Sequence, residues 1–330
     1  MRKILITGAE GFIGSHLVER LIRDKKNQLY LLIQYNSFSN IGWLKDISLT
    51  NRAKIIYGDI RDEIFIDEIT KNIDYVIHLA ALISIPYSYK APKEFINTNL
   101  IGSLNIFNSC LKNKIKKLIH TSTSEVYGSA QYTPIDEIHP LVGQSPYSAS
   151  KIASDNFAIA FHRSYNLPVI ILRPFNCFGP RQSFRAIIPS IISQCLNYKK
   201  IKIGNIDTVR DFTFVKDTVI AFEKALNDNV KNFGEIINIG SGKGIKIYEI
   251  LKKIIKITGT DPKIKIDKNR LRPDKSEVHK LISSTKKAKK LLNWSAYKSQ
   301  SNYDDALVDT INWYKNNSNK FSSKSKIFNY

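Results

Sequence analysis

Three regularly spaced glycines, placed directly after a short apolar run, constrain the fold of this chain more than any other feature. The segment 4–17 reads ILITGAEGFIGSHL, so Gly8, Gly11 and Gly14 follow a candidate strand and enter an amphipathic helix through Phe12 and Ile13. Glycines in this position let the chain turn tightly and let backbone N–H groups approach a phosphate at the helix N-terminus. The turn therefore predicts a site for the pyrophosphate of a dinucleotide, with all five residues as candidate contacts.

Short apolar runs alternate with longer amphipathic stretches through the first half of the chain. Six candidate strands, at 3–6, 29–33, 54–57, 75–78, 117–121 and 169–172, are accompanied by helical stretches near 12–24, 62–71, 93–112 and 146–165. Strands joined by helical crossovers pair in parallel and are covered on both faces. The sequence therefore predicts an α/β protein with a Rossmann-type, doubly wound parallel sheet.

The rhythm changes after residue 173, and the second half predicts a smaller C-terminal α/β domain that binds substrate. We expect a dinucleotide-binding domain over 1–175, to which segments near 212–240 are able to return, and a substrate-binding domain over 176–315. Residues 316–330 are rich in Asn, Ser and Lys and are predicted to form a flexible tail.

The charge and the cysteines exclude several classes of protein. Lys and Arg outnumber Asp and Glu by 50 to 29, which gives a formal net charge of +21. The basic residues are scattered through every segment, so the pattern favours an anionic small substrate over nucleic acid. The first apolar run is too short for a signal peptide, and no later run reaches the length of a membrane span. The 3 cysteines form no zinc or disulfide pattern. A soluble, cytoplasmic protein without a metal site is expected.

Further candidate contacts for the dinucleotide follow the other predicted strands. A carboxylate after the third strand can accept from an adenine amino group, and small residues after the fourth strand permit close approach of a ligand. The second strand ends in Gln34-Tyr35-Asn36, which offers neither the acid that marks NAD nor the arginine that marks NADP. The choice between the two cofactors therefore stays open, with NAD slightly favoured. The candidates in this group are Asn36, Asp59, Ile60, Leu79, Ala80, Ala81 and Asn99.

A second constellation carries the candidate catalytic residues. Thr123, Ser124 and Glu125 follow the fifth strand, and Tyr147 and Lys151 lie one helical turn apart in the next helix. A lysine ammonium beside a phenol is expected to lower the pKa of the tyrosine and to make it a usable base, and both side chains are also candidate cofactor contacts. The same Tyr-x-x-x-Lys spacing recurs at 89/93, 198/202 and 248/252, but only the pair at 147 and 151 lies one crossover beyond a strand that ends in a Ser/Thr cluster.

Four residues are candidates for acting on a substrate or binding it. The carboxylate of Glu125 can act as base or acid on a proton bound to carbon, although a glutamate in a polar ion pair gives the same sequence pattern. Asn176 follows the sixth strand, at the edge where open sheets bind ligands. Arg210 and Arg272 are candidate clamps for a diphosphate, because guanidinium groups match phosphate oxygens in pairs.

Taken together, these residues resemble the extended short-chain dehydrogenase/reductase family over residues 1–315. The triplet at 123–125 resembles that of sugar-nucleotide 4,6-dehydratases of the GDP-mannose type. The segments YNSFSN at 35–40, RDFTFV at 210–215 and RPDKSEV at 272–278 resemble the NAD-dependent 4,6-dehydratases of legionaminic acid biosynthesis, which act on GDP- or UDP-linked N-acetylglucosamine. The resemblance implies an NAD(P) cofactor, a Thr-Tyr-Lys catalytic set, a nucleotide-sugar substrate and a homodimer formed through the helices near 93–112 and 146–165.

The reaction that the resemblance implies is oxidation of a hexose at C4 followed by loss of water across C5 and C6. Tyr147 would take the C4 hydroxyl proton, Lys151 would support the phenolate, and Glu125, assisted by Ser124, would remove the C5 proton and help to expel the C6 hydroxyl. Three alternatives stay open. They are a 4-epimerase that uses the same Tyr-Lys pair, a UDP-glucuronate decarboxylase that shares the Ser-Glu pair, and a nucleotide-binding protein without catalytic activity.

Overall fold

The computed structural model describes residues 1–318, in which strands and helices alternate along most of the chain. The strands are β1 (Arg2–Thr7), β2 (Asn27–Gln34), β3 (Ala53–Gly58), β4 (Tyr75–His78), β5 (Lys117–Thr121), β6 (Val169–Pro174), β7 (Asn176–Phe178), β8 (Lys200–Ile203), β9 (Val209–Phe214), β10 (Ile236–Ile239), β11 (Gly244–Lys246), β12 (Lys263–Ile266) and β13 (Lys280–Leu281). The helices are α1 (Phe12–Leu21), α2 (Glu63–Thr70), α3 (Ile85–Lys90), α4 (Pro92–Phe95), α5 (Gly102–Lys112), α6 (Pro146–Tyr165), α7 (Ile187–Asn197), α8 (Val215–Ala225), α9 (Ile247–Thr258), α10 (Lys286–Leu292), α11 (Tyr297–Ser301) and α12 (Tyr303–Asn316).

The main sheet has seven parallel strands in the order β10-β6-β5-β4-β1-β2-β3. All six predicted strands form, and the predicted doubly wound sheet is confirmed. The strand order reverses between β1 and β4, so the crossovers diverge there and leave a crevice at the carboxyl ends of these two strands. Residues that end β1, β4 and β5 therefore converge on one place, although they lie far apart in sequence.

Helices cover both faces of the sheet, which explains why its central strands are apolar at consecutive positions. Ile4, Leu5 and Ile6 of β1 are fully buried, although their side chains alternate between the faces. One face packs against α1, α7 and α8, and the opposite face packs against α2, α5 and α6. A π-helical turn, Ile96–Ile101, joins α4 to α5 and interrupts the predicted helix near 93–112.

The second half of the chain builds a smaller α/β layer beside the carboxyl edge of the main sheet. Strand β9 lies between β11 and β13 and also pairs with β7, while β8 and β12 form a separate parallel pair. Two elements in the segment 212–240 belong to the main sheet layer: β10 pairs with β6, and α8 packs against α1. The chain thus crosses between the two layers more than once.

The C-terminal helix α12 ends at Asn316. Most of the tail that the sequence predicts to be flexible, from residue 319 onward, lies outside the described residues. Within residues 1–318, none of the helices combines the length and apolar character that crossing a lipid bilayer demands.

Candidate active site

The glycine turn lies at the crevice between β1 and β4. Gly8 has a φ of 68°, in the left-handed region that favours glycine. A Cβ on Gly14 would lie 2.2 Å from the carbonyl oxygen of Gly8, and a Cβ on Gly8 would lie 2.9 Å from the backbone nitrogen of Ala80. Any side chain at these two positions would therefore push the turn, α1 and the end of β4 apart. Such a narrow backbone cradle at the start of α1 suits a pyrophosphate.

The residues after β4 are held against this turn by a side chain that the sequence reasoning missed. The hydroxyl of Thr7 accepts hydrogen bonds from the backbone nitrogens of Leu79 and Ala80, each at 3.1 Å. It also lies 2.8 Å from Nδ1 of His78. Segment 79–81 is therefore fixed beside the glycine turn, where it lines the crevice between the two strands.

Asn99, in the π-helical turn, connects Leu82, directly after this segment, to Ser150 of α6, the helix that carries Tyr147 and Lys151. Its amide donates to the carbonyl oxygen of Leu82 at 2.9 Å and to the hydroxyl of Ser150 at 3.0 Å, and its oxygen accepts from the nitrogen of Leu82 at 2.8 Å. Asn99 is fully buried. Its amide oxygen and nitrogen both have protein partners, so its role in this structure is to position neighbouring backbone.

The other three cofactor candidates have different surroundings. The side chain of Asn36 donates to the carbonyl oxygens of Gln34 and Asn40, so it folds the loop after β2. Asp59 pairs with Arg61 at 2.7 Å, and this hydrogen bond lowers the pKa of the Asp59 carboxyl. Ile60 covers the face of α5 at Gly102, where a Cβ would lie 2.7 Å from its side chain.

Tyr147 and Lys151 lie in the first turns of α6, which begins at a capping box. The hydroxyl of Ser145 accepts from the backbone nitrogen of Ser148, and the Ser148 hydroxyl accepts from the backbone nitrogen of Ser145. Tyr147 is 7 % exposed and packs edge-on against Phe95, with 6.2 Å between the ring centroids. Nζ of the buried Lys151 donates to the carbonyl oxygen of Thr121 at 2.6 Å. The capped helix start thus fixes both side chains at the end of β5.

The pKa of Tyr147 shifts in the direction opposite to the one that the sequence predicts. Burial raises the pKa of Tyr147, and a hydrogen bond with Thr123 opposes the shift only in part. Burial also lowers the pKa of Lys151 to about 8. The expectation that Lys151 lowers the pKa of Tyr147 is therefore wrong for this structure, because desolvation outweighs the other influences on the phenol.

Glu125 lies in the short 3₁₀ turn Ser124–Tyr127 that follows β5. Thr123 caps this turn, since its hydroxyl accepts from the backbone nitrogen of Glu125 at 3.2 Å. Ser124 is buried in the same turn. The turn packs against α6, and Thr123 hydrogen-bonds the phenol of Tyr147, so the triplet and the tyrosine belong to one site. The sequence prediction that these residues converge at the end of β5 agrees with this geometry.

Both predicted diphosphate clamps lie beside Glu125. Nη1 of Arg272 donates to Oε2 of Glu125 at 3.2 Å, with the two side chains 26 % and 11 % exposed. Arg210 is almost fully buried and lies 3.8 Å from Glu277. Burial lowers the pKa of Arg210, and the neighbouring charges of Glu125 and Arg272 act on it as well. The site therefore combines two guanidinium groups with the candidate acid/base.

Asn176 is the first residue of β7, which follows directly after the carboxyl end of β6. Its amide oxygen is buried and has no hydrogen-bond partner among the described residues. A buried acceptor without a partner is rare in folded proteins, and it leaves this oxygen able to accept from a bound molecule. This observation fits the prediction that Asn176 lies at the edge of the sheet where ligands bind.

A buried polar network beneath the catalytic residues escaped the sequence reasoning. Asp155, on α6, binds Nε of Arg173 at 3.0 Å and the hydroxyl of Ser122 at 2.6 Å. Arg173 also donates to the hydroxyl of Tyr127, which donates in turn to Asn238. Asp155 and Arg173 are each 1 % exposed. The sequence signal that was available is the position of Asp155, one turn beyond Lys151 on the same helix.

Fold and site together place the chain among the extended short-chain dehydrogenase/reductases. A family model described as GDP-mannose 4,6 dehydratase matches residues 5–302. The chain therefore belongs to the GDP-mannose 4,6-dehydratase family.

Curated relatives include dehydratases that are longer than this chain. It is 36% identical over 273 residues to a dTDP-D-glucose 4,6-dehydratase of Dictyostelium discoideum, covering 78% of this chain and 62% of that protein. It is 31% identical over 324 residues to a trifunctional UDP-glucose 4,6-dehydratase, 3,5-epimerase and reductase of Arabidopsis thaliana, covering 96% of this chain. The chain spans 47% of the length of that plant protein, or about half.

Solved structures of two different activities superpose on the chain. A dTDP-glucose 4,6-dehydratase from Streptomyces venezuelae, with NAD bound, gives a TM-score of 0.87 at 27% identity and covers 96% of this chain and 98% of that one. A UDP-N-acetylglucosamine 4-epimerase from Methanobrevibacter ruminantium, in complex with UDP-N-acetylmuramic acid, gives a TM-score of 0.84 at 30% identity with the same coverage of 96% and 98%. Overall similarity therefore does not separate dehydration from epimerisation.

Proposed function

We propose that this protein is an NAD-dependent nucleotide-sugar 4,6-dehydratase whose substrate is GDP- or UDP-linked N-acetylglucosamine. The observation that carries the proposal is the position of Glu125, a buried carboxylate in the same site as Tyr147 and Thr123. Elimination of water needs a base for the C5 proton, whereas epimerisation at C4 needs none. The segments at 35–40, 210–215 and 272–278 support the choice of substrate.

The chain has the surroundings that a nicotinamide dinucleotide needs. The glycine turn offers a narrow backbone cradle for the pyrophosphate, and the segment 79–81 is fixed beside it. Asp59 lies after β3, where an adenine amino group can be recognised. A nicotinamide cofactor held there supplies a hydride acceptor at the start of the reaction and a hydride donor at its end.

Each catalytic residue has a defined task in this proposal. Tyr147 removes the proton of the C4 hydroxyl as that carbon is oxidised, and Thr123 hydrogen-bonds the same oxygen. The resulting C4 ketone acidifies the C5 proton, which passes to Glu125. The C6 hydroxyl then leaves as water with a proton from the same carboxyl, and Ser124 assists this departure. The double bond left between C5 and C6 is closed when C6 receives the hydride equivalent removed from C4, which a nicotinamide held at the glycine turn would carry, and C5 receives a proton from solvent. In this proposal the positive charge of Lys151, one helical turn from Tyr147, opposes the burial that raises the pKa of the phenol and so favours the phenolate during the reaction.

A panel of sugar nucleotides tests the proposal directly. The protein is incubated with NAD and with GDP-, UDP-, dTDP- and CDP-linked sugars, and products are weighed by mass spectrometry. We expect the loss of one water from GDP- or UDP-N-acetylglucosamine. Glu125→Gln is the matched variant: it should still reduce bound NAD when substrate is added but release no dehydrated product. No mass change with any substrate in the panel would refute the proposed reaction.

Epimerisation at C4 is the second candidate, favoured by the superposition on a 4-epimerase and by the pairing of Glu125 with Arg272. In that case Glu125 has a structural role and the C5–H bond is never broken. Turnover in deuterium oxide separates the two reactions. Deuterium at C5 of the product supports dehydration, whereas an isomer of unchanged mass that lacks deuterium supports epimerisation.

We also propose that two copies associate through α6 and the π-helical turn before α5. Four large hydrophobic side chains lie exposed on these elements: Ile96 at 49 %, Ile101 at 43 %, Phe157 at 43 % and Tyr165 at 62 %. Apolar groups clustered on neighbouring helices often mark a protein interface. Light scattering should give twice the mass of the chain, and Phe157→Glu should shift it to that of one chain. A single-chain mass for the wild-type protein would overturn this proposal.

A further inference from the structure

The end of β2 lacks the charged residue by which most dinucleotide-binding sheets select their cofactor. Its last residue is Gln34, followed by Tyr35 and Asn36. The structure supplies a carboxylate at this place from another element. Glu10, in the glycine turn, reaches the end of β2, where its Oε1 accepts from the backbone nitrogen of Gln34 at 3.1 Å.

The backbone of Glu10 and the base of its side chain are held against the loop after β2. The backbone oxygen of Glu10 accepts from the nitrogen of Trp43 at 3.1 Å. Gly42 has a φ of 56°. A Cβ on Gly42 would lie 2.7 Å from the backbone oxygen of Glu10 and 2.9 Å from the Cβ of Glu10. The loop after β2 therefore packs closely on Glu10 and leaves its side chain little freedom to move.

One oxygen of this carboxylate lacks a partner. Oε2 of Glu10 is buried and has no hydrogen-bond partner among residues 1–318. Burial also raises the pKa of Glu10, which shows that its surroundings do not fully compensate the charge. This unpartnered oxygen lies between the glycine turn and the end of β2, where the adenosine ribose of a dinucleotide is expected.

We propose that Glu10 binds the adenosine ribose hydroxyls through Oε2 and excludes a 2′-phosphate, so that the protein uses NAD and rejects NADP. This inference rests on the nicotinamide cofactor of the proposed function but not on the sugar chemistry. A carboxylate accepts from both ribose hydroxyls, whereas a phosphate on the 2′ oxygen removes one donor and places a second negative charge against the first. Glu10 thus takes the role of the acid that β2 does not provide.

Calorimetric titration with NAD, NADP, ADP-ribose and its 2′-phosphate tests the inference without any turnover. The wild-type protein should bind each compound that lacks the 2′-phosphate roughly 100-fold more tightly than its phosphorylated counterpart. Equal affinities in the wild-type protein would overturn the inference, and this measurement needs no variant. A protein that selects NAD but dehydrates no nucleotide sugar would keep the inference and overturn the proposed reaction.

Glu10→Gln isolates the charge, because its amide oxygen can still accept from Gln34. We expect this variant to bind NADP about 10-fold more tightly and NAD about 3- to 10-fold more weakly than the wild-type protein. Asp59→Asn is the matched control, since adenine is common to both compounds and both affinities should change equally. If Glu10→Gln weakens both equally, Glu10 only anchors the loop and the inference fails.

Discussion

Replacing Glu125 by Gln is expected to tighten the binding of nucleoside diphosphates, although it removes the candidate acid/base. Arg272 is engaged by Glu125 in this structure, through one hydrogen bond of 3.2 Å. A diphosphate that binds Arg272 competes with this carboxylate for the same guanidinium. Loss of the negative charge at position 125 frees Arg272 for the phosphates without disturbing the fold of the turn around it.

The structure sets the size of this effect. The Glu125 side chain is 11 % exposed and that of Arg272 is 26 % exposed, so the pair is neither a surface ion pair nor a dry one. Exposed pairs contribute at most about 1 kcal/mol, whereas breaking a buried pair costs several times more. An intermediate value of about 1–2 kcal/mol corresponds to a roughly 5- to 30-fold gain in affinity.

A double-mutant cycle separates this competition from plain charge repulsion between Glu125 and the ligand. UDP, GDP, dTDP and CDP are titrated by calorimetry into the wild-type protein, Glu125→Gln, Arg272→Gln and the double variant. If Arg272 carries the effect, Glu125→Gln should tighten binding in the wild-type background and have little effect in the Arg272→Gln background. An equal gain in both backgrounds would refute the reasoning, because the carboxylate would then act on the phosphates directly.

Three further predictions concern the catalytic helix, a buried histidine and the network below the site. Tyr147→Phe should lower kcat about 10²- to 10⁴-fold and leave KM within a few-fold, as measured by steady-state kinetics on the substrate that the panel identifies. Burial lowers the pKa of His16 from 6.5 to about 4, so stability should fall by about 1.4 kcal/mol per pH unit as the pH drops through this window. His16→Gln keeps a donor for the carbonyl of Pro180 and should remove this slope in urea unfolding. Asp155→Ala should cost about 3–5 kcal/mol of stability, whereas Asp155→Leu with Arg173→Met should recover much of it.

The parts of this protein that sequence reasoning predicted are those set by local pattern. The glycine spacing after an apolar run sufficed for the turn at the start of α1, because Gly11 and Gly14 are required by contacts within a few residues; Gly8 is required as well by the backbone that follows β4, the neighbouring strand of the sheet. The strands were predictable because parallel strands buried on both faces read as continuous apolar runs. Tyr147 and Lys151 were found because the spacing of a helix turn places them on one face of α6.

The parts that sequence reasoning missed depend on contacts between distant elements. Arg272 and Glu125 are 147 positions apart, and nothing in either segment indicates that they pair. The loop containing Arg272 has little regular structure, so its path follows from packing against the main layer and not from local propensity. The sequence at the end of β2 gives no sign of Glu10, because the carboxylate that arrives there comes from the glycine turn before α1.

The error over Tyr147 has a similar cause and leads to a last prediction. The spacing along α6 predicts that Lys151 lies near Tyr147, but it does not reveal the burial that raises the pKa of the phenol. In the structure, Lys151 donates to the carbonyl oxygen of Thr121. Positive charge that a bound ligand brings to the site acts against burial. We therefore expect NAD to lower the pKa of Tyr147, whereas ADP-ribose, which lacks the charged ring, should not. Because the chain has 16 tyrosines, the phenolate absorbance of Tyr147→Phe is subtracted from that of the wild-type protein. Equal titration curves with the two ligands would show that burial alone sets the protonation of this residue.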